Sequence, residues 1–164
     1  MGEASKQLRG TALAEKLVDV AAELFYVNGV RAVGVDEVVR QAGVAKASLY
    51  RWFPTKDDLI LAVLRRRDEE FWARWDAAAA ASSDDPHKEL QAQLTWIQKL
   101  ANRRGYRGCA FVNTAAEFDE AESEHIRARC REHEVELRRR LRALTSRLGV
   151  ADSDGVADQL HVAI

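Results

Sequence analysis

The chain has 164 residues, is 47% hydrophobic and 31% charged, and carries a net charge of −1. That is an ordinary composition for a soluble globular protein, enough for one compact domain or two small ones sharing a core. No apolar run approaches the roughly 20 residues of a membrane span, and two cysteines do not make a disulfide framework, so a reducing cytoplasm is expected. No signal-peptide pattern precedes the fold. With 2 Pro and 9 Gly the chain favours helix throughout. Residues 1–67 hold 11 Lys+Arg against 8 Asp+Glu, while the remainder holds 14 against 18. The positive bias therefore falls on the N-terminal part, as nucleic-acid binding would require.

Residues 1–10 read as a flexible polar arm, with Lys6 and Arg9 as phosphate contacts or as plain tail. Thr11 can cap a helix to about Val27. Its Leu13, Leu17, Val20, Ala21, Leu24 and Phe25 fall at helical spacing and predict core. Asn28-Gly29 is a stop signal. Asp36–Gln41 forms a short helix with Val38, Val39 and Ala42 on one side. Gly43 then reverses the chain, a task for a residue free to take positive φ. Lys46–Phe53 is the next helix, with Leu49 and Phe53 inward. Lys46, Ala47, Tyr50, Arg51 and Trp52 are left facing outward. Two cations, two aromatics and a small residue suit a helix in a DNA major groove.

Pro54 ends that helix. Thr55 can cap the following one, with Asp57 and Asp58 suited to the positive end of its dipole. Lys56 is unfavourable there by roughly 0.3–1 kcal/mol unless a phosphate joins it.

The stretch GVRAVGVDEVVRQAGVAKASLYRWFPTKDDLILAVL resembles the N-terminal DNA-binding domain of the TetR/AcrR transcriptional regulators. The matching features are the first helix running into LFYVNG, the A-G-V turn, S-L-Y-x-x-F and the following K-x-x-L, over about residues 11–67. The resemblance implies an all-helical homodimer that binds an operator and releases it when a small molecule binds. It assigns Lys46, Ala47 and Arg51 to base edges. Ser48, Tyr50, Trp52 and Lys56 match positions at or beside the DNA backbone. Gly34 and Val35 match positions whose N–H groups meet a phosphate. Trp52 stands where the family often has a smaller aromatic or a tyrosine.

Thr55 to about Ala80 reads as one long helix, with Arg65-Arg66-Arg67 as a solvated face or a DNA contact. Ser82–Pro86 is a linker, with proline well placed at a first helical position. A helix follows over His87–Asn102, with Leu90, Leu94, Ile97 and Leu100 on its apolar side. Arg103–Gly108 is a basic break, and Ala110–Phe118 a short apolar helix. Glu122–Leu148 carries one inward stripe of Ile126, Cys130, His133, Leu137, Leu141, Leu144 and Leu148. A last helix starts at Ser153 or Asp154 and runs apolar through Val156, Leu160, Val162 and Ile164. It has no stop signal. Family members carry more helix here, where their dimer interface forms, so a longer C-terminus is expected.

Other chemistry is weakly supported. Cys130 and His133, with His125 and Glu134 nearby, lack the C-x-x-C or H-E-x-x-H spacing of a zinc site. Cys109 has no fixed histidine partner for nucleophilic work. Glu117, Asp119, Glu120 and Glu122 fall on a helix break, where they cap and solvate. No metal, no cofactor and no enzymatic activity are expected. The aromatic residues Phe71, Trp72, Trp75, Trp96, Phe111 and Phe118, with Asn113, could fill a core or line a pocket for an apolar or aromatic ligand.

The expected fold is all-α. It has a three-helix helix-turn-helix unit over residues 11–54 and a helical effector-binding and dimerisation domain over 55–164. The expected partners are double-stranded operator DNA, a small-molecule effector and a second copy of the chain, with no membrane. The expected activity is repression lifted by the effector. The alternative is a DNA-binding regulator switched by a protein partner.

Overall fold

A computed structural model describes the backbone of residues 2–119 and 123–164, and side chains from Thr11 onward. Met1, Glu120, Ala121, Glu122 and the side chains of Lys6 and Arg9 lie outside the described residues. The described residues form eight helices and no strand. These are α1 (Gly2–Asn28), α2 (Val35–Ala42), α3 (Lys46–Trp52) and α4 (Lys56–Ala81), then α5 (Pro86–Ala101), α6 (Ala110–Ala116), α7 (Glu124–Arg147) and α8 (Ser153–Ala163). The first helix differs from the expected arm, because its backbone is helical from Gly2. Lys, Gln, Leu and Arg over residues 6–9 are good helix formers, and no proline precedes Thr11 to stop the helix.

Local signals set the ends of the N-terminal elements. Gly43 takes φ +66° after α2, and the N–H groups of Gly43 and Val44 donate to Arg40 O and Val39 O at 3.2 and 3.1 Å. This pair of bonds is the Schellman motif, which serves carbonyls the helix would otherwise leave unpaired. Thr55 Oγ1 accepts from Asp58 N at 3.1 Å, and Asp58 Oδ2 accepts from Thr55 N at 2.9 Å. That capping box starts α4 and turns the chain sharply after Pro54. The bonds from Thr55 also hold the Asp58 carboxyl below its ordinary pKa.

One core gathers Leu17, Ala21, Leu24 and Phe25 of α1, Val38 and Val39 of α2, Leu49 of α3, and Leu59, Ile60, Val63 and Leu64 of α4. Phe111 of α6 and Ile126 and Cys130 of α7 close it. A second core joins Trp75 of α4, Leu137 and Leu141 of α7 and Ala157 of α8, with Phe71, Trp72, Trp96, Leu160 and Ile164 packed against it. Helix α4 thus serves both cores, its first three turns one and its last turns the other. The predicted stripe of α7 is buried from Ile126 through Leu144. No helix of the described residues is long and apolar enough to cross a membrane.

Candidate functional site

Leu49, with no exposed surface, and the nearly buried Phe53 root the α3 region in the first core. Rooting one side fixes what the other presents. Lys46, Ala47, Tyr50, Arg51 and Trp52 are exposed, Tyr50 by 42% and Trp52 by 38%, and Ser48 is half-buried. Gly34 caps α2 with extended backbone, and no side chain caps it. The amide groups at that end are left for water or an anion. Lys56 opens α4, half-buried, with Nζ 3.5 Å from Arg31 O. Partial burial lowers its pKa. Lys46 Nζ meets Asp36 Oδ1 at 2.7 Å. The bond to that carboxylate raises its pKa, but the pair is exposed, and such pairs exchange readily for a phosphate or a base edge.

A cavity of about 940 Å³ lies between α1 and the C-terminal helices, with Tyr26 and Val27 of α1 on one side. Phe71 of α4, Trp96 of α5, Phe111 of α6 and Leu137 of α7 give its apolar walls. Cys109, His133, Glu134 and His161 give a polar wall, and the exposed Arg74, Arg103 and Arg104 also line it. His133 is 2% exposed and stacks on Phe111 with ring centroids 3.8 Å apart. Its Nδ1 lies 2.7 Å from Asp68 Oδ1, which also accepts from Trp72 Nε1 at 2.8 Å, while Arg129 donates to Asp68 Oδ2. Burial pushes the Asp68 carboxyl up, but the bonds from His133 and Arg129 outweigh it and hold the pKa below its ordinary value. Burial lowers the His133 pKa and outweighs the pull of Asp68. The ring is thus neutral at pH 7, and bonding to a carboxylate assigns its proton to Nδ1.

Segment 107–117 ties the C-terminal half to the DNA-facing half. Glu117 Oε1 and Oε2 accept from Val30 N and Arg31 N at 2.9 and 2.8 Å, and Arg31 Nη1 donates back to Glu117 O at 3.3 Å. Gly29 has φ +92°, and a Cβ there would stand 3.2 Å from the Glu117 carboxylate. A few residues upstream, Tyr26 OH donates to Gly108 O at 3.0 Å and accepts from Arg107 N at 2.7 Å. The loop held in this way runs directly into Gly34 and α2.

The sequence profile described as "Bacterial regulatory proteins, tetR family" matches residues 17–63. The fold matches the crystal structure of SCO4454, a TetR-family transcriptional regulator from Streptomyces coelicolor. The identity is 32%, with 90% of this chain and 77% of that chain covered and a TM-score of 0.82. The chain belongs to the TetR family of DNA-binding transcriptional regulators. Over 93 residues, 56% of this chain, it is 45% identical to the HTH-type transcriptional activator FasR of Mycolicibacterium smegmatis. Over 89 residues, 54% of this chain, it is 29% identical to the HTH-type transcriptional repressor KstR of the same species. These matches span 42% and 43% of the two relatives' length.

In this TetR-family chain the aromatic set expected to line one pocket is divided. Phe71, Trp96 and Phe111 line the large cavity. Trp72 does not, because Asp68 takes its N–H and the Arg140 guanidinium lies 4.4 Å over its ring. Trp75 is buried in the second core, its carbonyl bonded by Gln93 Nε2 at 3.0 Å. Phe118 packs on the first core. Asn113 lines a separate cavity of about 100 Å³ and donates to Arg107 O at 2.8 Å. The arginine run is structural in part. Arg66 pairs with Asp19 at 2.8 Å, and Arg67 sits over the Tyr26 ring at 5.6 Å. Asp68, Glu134, His161 and the Glu117 clasp were not singled out from the sequence as pocket or linking residues. Their partners lie tens of residues away, where no periodicity connects them.

Proposed function

We propose that this TetR-family regulator is a homodimeric repressor that leaves its operator when a small apolar or aromatic ligand occupies the cavity. Residues 11–54 act as the DNA-binding unit, and 55–164 bind effector and dimerise. Lys46, Ala47 and Arg51 read base edges. Ser48, Tyr50, Trp52, Lys56 and the amides of Gly34 and Val35 meet the backbone. Operator DNA as partner makes the cytoplasm its place of work. The cavity is the observation that carries the effector reading. A volume of about 940 Å³ with aromatic walls and a few polar groups suits a small organic molecule. A filled core there would have favoured control by a protein partner. Dimer formation is supported by α8, where Val162 is 87% exposed at the end of an apolar run. One short recognition helix also contacts too few bases to be selective, so two must act about one DNA turn, ~34–36 Å, apart.

Ligand entry would act through α6. Phe111 on its first turn lines the cavity, and Glu117 just past its last turn holds the loop ahead of α2. A ligand shifts the balance only by its preference for the DNA-incompetent form. A hundredfold loss of operator affinity needs roughly 2.7 kcal/mol of differential binding. Operator must then weaken ligand binding by the same hundredfold. Titration of a releasing ligand with and without operator, read by Trp96 fluorescence, measures this. Equal ligand affinity in the two titrations would refute the switch, and monomers on DNA in sedimentation would refute the dimer.

A further inference from the structure

We propose that the polar wall of the cavity is a binding site for a divalent cation of the zinc class, held by Cys109, His133 and Glu134, with His161 beside Glu134. These residues come from three segments: the turn before α6, the middle of α7 and the end of α8. The Cys109 sulfur, a His133 ring nitrogen and a Glu134 oxygen lie within 4.8 Å of one another. Glu134 Oε2 also lies 3.0 Å from His161 Nε2, so that ring stands at the edge of the cluster.

The donor set is that of zinc: one thiolate, one imidazole and one carboxylate, which leave the fourth tetrahedral position to water. His133 is prepared for ligation. Its Nδ1 is engaged by Asp68 at 2.7 Å, which leaves Nε2 to carry the lone pair. A histidine held by a carboxylate on its far nitrogen is the usual support of a zinc ligand. Asp68 is in turn fixed by Trp72 Nε1 and Arg129. Bond lengths of about 2.0–2.3 Å to zinc put donor atoms about 3.5 Å apart, so the cluster must contract by about 1 Å. Cys109 Sγ and Glu134 Oε1 already stand 3.8 Å apart. Binding breaks the Cys109 S–H bond, forms a metal–sulfur bond and releases one proton to solvent. The expectation from sequence that no metal binds weighed Cys130 beside His133. Cys130, however, is buried in the first core, and the thiol that reaches this wall is Cys109 from another segment.

The test uses tag-free, metal-stripped protein and Co²⁺ as probe. One Co²⁺ per chain should bind, giving a thiolate-to-cobalt charge-transfer band and the intense visible bands of a tetrahedral ion, both erased by Zn²⁺. Cys109→Ser should remove the charge-transfer band and weaken Zn²⁺ at least tenfold, while Cys130→Ala keeps both. Asp68→Asn should keep the band and weaken Zn²⁺ roughly 10–100-fold. No charge-transfer band in the unaltered chain overturns the proposal. So does a band that survives Cys109→Ser or vanishes in Cys130→Ala. Should Cys109→Ser not fold, Glu134→Gln decides, with a tenfold loss of Zn²⁺ affinity expected and an unchanged affinity overturning the site. These readouts are of the metal alone, so they stand or fall separately from operator release.

Discussion

The two halves of the molecule are put together differently. The first core is the larger: Leu17, Ala21, Val38, Leu49 and Leu59 have no exposed surface, and a gap against Phe25, Ile60 and Leu64 is about 100 Å³. The second core, around Trp75 and Leu141, is smaller and borders a cavity of about 940 Å³. Side chains far apart in sequence hold it together, as in Asp68 with His133 and Glu89 with Arg147 at 2.7 Å each. A DNA reader needs one rigid shape, and close packing supplies it. A half that admits a ligand must leave room, and it gives up part of the contact energy that a full core would hold.

The largest effect expected from this contrast is on stability. Leu49→Ala should cost about 2–5 kcal/mol, because the packed first core cannot collapse into the gap. Leu137→Ala, at the cavity wall, should fall at the low end of that range, since part of its surroundings is already empty. Denaturant melts of both variants measure the difference. A larger cost at Leu137 would mean that the cavity half is the better packed of the two.

The same contrast decides what can be read from the sequence. Val39, Arg40, Gly43 and Val44 close a motif within six residues, and Thr55 and Asp58 close another within four. Such signals are local, so α2, α3 and the start of α4 are legible nearly to the residue, while α1 starts nine residues before the expected Thr11. The family resemblance was legible for the same reason, because its motifs are short-range. The stripe of α7 predicts a buried face, yet periodicity does not say that Asp68, 65 residues earlier, meets His133 on it. Aromatic spacing likewise marks Phe71, Trp72 and Trp75 together on α4, and only the fold separates the one that lines the cavity from the two that do not. Glu117 reads as one of several acids on a helix break, and its partners Val30 and Arg31 are backbone amides that carry no side-chain signature.

The Glu117 clasp is where the halves can be uncoupled. Hydrogen bonds to a charged group contribute about 1.5–3 kcal/mol, and the half-exposed setting of this one brings the expected cost of Glu117→Gln to about 1 kcal/mol. Native-state hydrogen exchange should show faster exchange at the Val30 and Arg31 amides, with the amides of Leu17 and Ala21 in the α1 core unchanged. Operator affinity should fall while base preference stays the same, because the loop positions α2 and does not read DNA. Unchanged exchange at the two amides would show that the clasp contributes nothing to holding the loop.

Acid should separate the halves in the same sense. Free histidine titrates near 6.5, and the folded His133 does so lower, so the unfolded chain takes the proton first. Stability is therefore lost as pH drops below about 6.5 and goes on falling toward the folded value. Asp68 is also lowered, and its contribution, present above the ordinary carboxyl range, is lost further into acid as pH passes through its folded pKa. Both groups lie between α4 and α7, beside Trp72. Tryptophan emission should thus report loosening of the C-terminal half as pH falls below about 6.5, before the amides around α3 lose protection. Simultaneous loss in both halves would refute the separation.

The smallest effect expected is at Lys56. Its ammonium is half-buried, with Nζ 3.5 Å from Arg31 O. A bond that long contributes little to the fold, so Lys56→Ala should shift stability by less than about 0.5 kcal/mol. A phosphate at this helix start would find the lysine and the first amides of α4 together. Losing that one contact should weaken operator and non-specific DNA alike and lower the salt slope by about one unit, base preference staying as it was. Binding isotherms over a range of salt concentrations, on operator and on unrelated duplex, separate the two behaviours. If operator binding alone suffers and the slope is unchanged, Lys56 acts on base reading, and the division between α3 as reader and the start of α4 as anchor is wrong.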